Sequence, residues 1–70
     1  MFTLAKNTIR PLWLATVGGR SVAIEKHDEE VDHGYWYEIR VDGAPVAEGW
    51  FDNFEAACDV AVRHAGREGP

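Results

Sequence analysis

A chain of 70 residues with a single cysteine, Cys58, and a net charge of −5 has room for one domain and excludes an internal disulfide framework. The acidic balance excludes general attraction to a phosphate backbone, which needs a basic surface. No apolar run approaches the about 20 residues of a membrane span, and Met1–Thr16 lacks the continuous apolar stretch and cleavage site of a signal peptide, so a soluble protein in the reducing cytoplasm is expected.

The charge is uneven. Met1 to Lys26 carries a balance of +3, and His27 to Pro70 one of −8. Basic proteins are the natural charged partners of such a chain.

Pro11 disfavours helix at Arg10 and suits the start of a first strand, Leu12 to Val17. Gly18-Gly19 is a two-residue hairpin turn, because both turn positions need positive φ. A second strand over Arg20–His27 then places Val17 opposite Arg20, Ala15 opposite Val22 and Trp13 opposite Ile24. His27 to Gly34 reads as a polar loop. Its two histidines and four carboxylates are metal-ligand types, but their spacing fits neither a calcium loop nor a zinc site, so no metal is expected.

Tyr35 to Val41 alternates and is dense in aromatic and β-branched residues, which predicts a third strand. Tyr35, Tyr37, Ile39 and Val41 fall on one side; Trp36, Glu38 and Arg40 fall on the other. Asp42-Gly43 marks a turn before a fourth strand, Pro45 to Phe51. A two-residue turn would set Glu48 beside Tyr37. A three-residue loop, Val41–Gly43 or Asp42–Ala44, instead sets Ala47, Gly49 and Phe51 beside Tyr35, Tyr37 and Ile39. It also collects Trp36, Glu38, Arg40, Glu48 and Trp50 on the opposite face. The second arrangement separates apolar from charged residues and is the one expected.

A helix is predicted over Asn53–Ala65, with Asp52 as N-cap and Glu55 completing a capping box. Phe54, Ala57, Cys58, Ala61, Val62 and Ala65 form its apolar stripe, and Gly66 stops it. The expected fold is α+β: a four-stranded antiparallel sheet of two hairpins, with one C-terminal helix packed on one face. Residues 1–66 form a single domain, and 67–70 a flexible tail.

Nothing in the chain reads as an enzyme. A nucleophilic thiol needs an activating base, and Cys58 lies on the apolar stripe. Ser21, the sole serine, sits in no motif. Gly18-Gly19 is too short for a phosphate loop, so no cofactor is expected. The better signal is the sheet face turned away from the helix. There Trp36 and Trp50 lie among Glu38, Arg40 and Glu48, with Leu12 and Leu14 reaching the same face. Tryptophan and arginine are enriched at binding hot spots.

Trp36-Tyr37-Glu38-Ile39-Arg40, Gly49-Trp50-Phe51-Asp52, and Glu55-Ala56-Ala57 with Ala61 resemble the ethylene-response-factor type of DNA-binding domain and, similarly, the arm-binding domains of tyrosine integrases. The resemblance covers Gly34 to Ala65. It implies a sheet backed by one helix, with Trp36, Glu38, Arg40 and Trp50 facing the DNA major groove. Over the same span, however, two arginines stand against six carboxylates, whereas groove binding relies on basic contacts to phosphate.

The expectation is therefore a small acidic protein-binding module, of the kind phages and mobile elements use to block or adapt a host complex. Its partner is another protein or a second copy of the chain. The alternative is a DNA-binding domain that reads the groove with its sheet face.

Overall fold

The computed structural model describes residues 2–6, 8–31 and 34–66, with the backbone alone for 28–31. Its elements are β1 (Thr3–Leu4), β2 (Leu12–Val17), β3 (Arg20–Val31), β4 (Gly34–Val41), β5 (Ala44–Phe51) and α1 (Phe54–Gly66). The strands form one antiparallel meander in the order β1-β2-β3-β4-β5. The fold is thus α+β with one C-terminal helix, but the sheet has five strands rather than four. The additional strand is β1, whose Thr3 and Leu4 pair with Leu14 and Trp13. The proposed tail over 67–70 lies outside the described residues.

Gly18 and Gly19 both have positive φ, at 57° and 81°, as a two-residue hairpin turn requires. The pairs Val17–Arg20, Ala15–Val22 and Trp13–Ile24 follow from it. Beyond Lys26 the expected loop is instead strand: β3 continues to Val31. Lys26 pairs with Tyr37 and Glu30 with Tyr35, so β3 carries extra residues there. An acidic stretch can lie in a strand when the backbone of a neighbour, here β4, supplies the hydrogen bonds.

The β4–β5 connection also differs from expectation. Asp42 (φ 52°) and Gly43 (φ 84°) form a two-residue turn, and Val41 pairs with Ala44. The register then slips, with Arg40 opposite Pro45 but Ile39 opposite Ala47, which leaves Val46 as an extra residue. This bulge does what a third loop residue was expected to do, bringing Tyr35, Tyr37 and Ile39 opposite Phe51, Gly49 and Ala47. A bulge and a proline also blunt β5, one of the two edge strands of the sheet. Asp42 joins the two turns: its N–H donates to the Ser21 carbonyl at 2.7 Å, and its Oδ1 accepts from the Ser21 N–H at 3.0 Å.

The helix begins one residue later than expected. Asn53, not Asp52, is its cap, with Oδ1 accepting from the Ala56 N–H at 2.9 Å. Glu55 therefore lies in the first turn, where its charge favours the helix dipole, rather than in a capping box. Ala57, Ala61 and Ala65 are buried against Val22, Ile24, Tyr37, Ile39 and Val41. These small residues let the helix backbone approach the sheet. Val62, expected on the stripe, is 46% exposed, and Val60 packs against the core in its place. At the start of the helix Phe54 gathers aromatic rings: Trp13 at 4.4 Å, and Tyr37 and Phe2 at 6.0 Å each. No helix among the described residues is long and apolar enough to cross a membrane.

Candidate functional site: the sheet face opposite the helix

Because Tyr37 and Ile39 are buried under α1, strand alternation turns Trp36, Glu38 and Arg40 to the opposite side. Trp50 pairs with Trp36 and Glu48 with Glu38, so all five residues singled out from the sequence lie on one face. The two indoles meet edge to face, with centroids 5.1 Å apart and planes at 87°, a favoured geometry for aromatic pairs. Trp36 is half-buried, whereas Trp50 remains 45% exposed.

A row of carboxylates crosses the face beside this pair. Glu25 on β3 is opposite Glu38 on β4, which is opposite Glu48 on β5. Neighbouring strands are about 4.8 Å apart, and like charges directly opposite oppose pairing. Arg40 partly offsets this. Its Nη2 donates to Glu25 Oε1 at 3.2 Å and to Glu38 Oε1. Glu48 is exposed and makes no ion pair or side-chain hydrogen bond among the described residues.

Sequence reasoning missed two members of this face, Glu25 and His27. The signal was available in the alternation of β3, since Val22 and Ile24 point to the core. His27 Nε2 lies 3.7 Å from Glu25 Oε1 and is enclosed without a hydrogen-bond partner. Ligand atoms of Glu25, His27 and Glu38 all fall within 4.8 Å of one another. Such a carboxylate–imidazole–carboxylate set has the donor chemistry to hold a divalent cation, yet the Arg40 guanidinium already occupies both carboxylates. The other metal-ligand residue types of the His27–Gly34 stretch, over 28–33, lie outside the described side chains.

Leu12 and Leu14 reach the same face, opposite Glu25 and Ala23 on β3, and Leu14 is 43% exposed. Trp50 is left open, and neither β1 nor Phe2 lies over it. β1 sits at the far edge of the sheet, and Phe2 packs on Phe54 on the helix side. Cys58 lies half-buried on α1. Burial raises the pKa of its thiol, and the neighbouring Asp59 and Glu55 add to the rise, the reverse of what activates a nucleophile. Burial also raises the phenol of Tyr37, with smaller contributions from Tyr35 and Cys58.

No protein-family model, curated protein or solved structure matches this chain.

Proposed function

We infer that the chain is a non-enzymatic protein-binding module and that its working surface is the sheet face opposite the helix. The observation that carries this reading is an edge-to-face tryptophan pair, half-buried at Trp36 and exposed at Trp50, beside a row of three carboxylates. An aromatic pair held in one geometry offers contact area at little entropic cost. A row of like charges left opposite one another weakens a sheet, and an oppositely charged partner surface relieves that repulsion.

A basic protein surface fits this face better than nucleic acid or a second copy does. Phosphates would meet Glu25, Glu38 and Glu48, while Arg40 is already engaged by two of them. Symmetric self-pairing through the face would set carboxylates against carboxylates. By the same argument, major-groove reading through Trp36, Glu38, Arg40 and Trp50 lacks free cationic groups.

Affinity capture from extract of the source cell tests this, using the tagged chain with and without nuclease treatment. The expected result is capture of a basic protein that survives nuclease and is lost with Trp50→Ala but not with Val62→Ala. Val62 is a fair control because it is exposed to the same degree as Trp50, 46% against 45%, but on the helix. Capture that depends on nucleic acid, or that Val62→Ala abolishes and Trp50→Ala spares, contradicts the proposal.

A further inference from the structure

Along the row Glu25, Glu38 and Glu48, compensation stops after the second carboxylate. Arg40 spans Glu25 and Glu38, and Glu48 is left exposed without a cation among the described residues. Two positions further along β5, on the same side, stands Trp50, which keeps 45% of its surface open although Trp36 holds its ring at 87°. Two residues of strand span roughly 6.6 Å. An unneutralised carboxylate and an oriented indole are therefore fixed within the reach of one long cationic side chain.

Arginine and lysine use such a pair differently. A guanidinium is planar, so it can stack on an indole while its edge donates to a carboxylate. An ammonium is a compact, strongly hydrated point charge and gains less from the ring. The geometry points to an arginine of a basic partner protein as the group that Glu48 and Trp50 receive together. This inference rests on the reading of the open face as the interface, and it names the chemistry of the residue that docks there.

The test is an NMR titration of the isotope-labelled full chain with two short peptides of equal length and charge, one arginine-rich and one lysine-rich. The arginine peptide should shift the Trp50 indole N–H and the backbone amides around Glu48. It should bind more tightly than the lysine peptide, by up to the roughly two- to fivefold that a whole exposed cation–π contact is worth. Glu48→Gln should remove that preference. Asp59→Asn, which makes the same charge change on the helix, should leave it. Equal affinity for both peptides, with shifts confined to the open face, overturns the arginine assignment and leaves the interface reading standing. Shifts centred on the helix around Glu55 and Asp59 overturn both.

Discussion

Glu48→Gln should make the isolated protein more stable. Glu48 lies directly opposite Glu38 and has no compensating cation among the described residues. Two unit charges about 5 Å apart in water repel by about 0.8 kcal/mol, and cross-strand pair effects fall in the range of about 0.2–1 kcal/mol. Arg40 screens part of this through Glu38. The expected gain is therefore a few tenths of a kcal/mol, and at most about 0.8 kcal/mol, at low ionic strength. A domain of this size shifts its midpoint by roughly 4–8 °C per kcal/mol, so thermal denaturation followed by circular dichroism resolves the effect. Asp59→Asn controls for the general benefit of lowering the net charge. At 1 M salt, where the screening length is about 3 Å, the difference between the two variants should vanish. Destabilisation by Glu48→Gln at low salt would refute the reasoning, because it would mean that the carboxylate is already compensated within the chain.

Other variants probe the framework that carries the face. Ala61 is fully buried against the sheet, so Ala61→Leu should cost about 1–3 kcal/mol in a urea titration, while Val62→Leu should be near neutral. A Cβ on Gly34, where φ is 114°, would stand 2.0 Å from the Phe51 carbonyl oxygen, whereas one on Gly19 (φ 81°) would meet nothing within 4 Å. Gly34→Ala should therefore cost clearly more than Gly19→Ala, whose backbone strain alone is worth about 1–3 kcal/mol. Thiol reagents should label Cys58 slowly in the folded protein and rapidly after denaturation. Since the raised thiol pKa means that the unfolded chain ionises first, stability should fall as pH climbs above the ordinary thiol range, and Cys58→Ala should flatten part of that fall.

The parts of the fold legible in the sequence were those whose local signal agrees with the tertiary outcome. The alternation of Tyr35 to Val41 fixed which side chains enter the core, and Gly18-Gly19 fixed the β2–β3 register. Where the signal and the outcome part, a non-local partner decides. Two residues, Thr3 and Leu4, become a strand because β2 offers them an open edge, and no periodicity announces that. The acidic continuation of β3 reads as a loop by composition but is held by pairing with β4. A three-residue loop and a two-residue turn followed by a bulge at Val46 shift the register by the same amount, so the grouping of Trp36, Glu38, Arg40, Glu48 and Trp50 is legible although the turn length is not. Asp52 and Asn53 are adjacent and equally suited to cap a helix, so the choice between them waits on how β5 delivers the chain. Glu25 joins the face only once Ile24 is known to be buried, and the pairing of Arg40 with Glu25 joins residues 15 positions apart.

The three tryptophans of the chain provide a direct test of the working surface within one molecule. Trp36 and Trp50 meet edge to face on the open face, while Trp13 packs on Phe54 on the helix side. With fluorine-labelled tryptophan incorporated, the captured partner should be added back to the purified chain and the three resonances followed. The account predicts that the signals of Trp36 and Trp50 shift or broaden on binding and that of Trp13 does not; movement of Trp13 with the other two unchanged would contradict it.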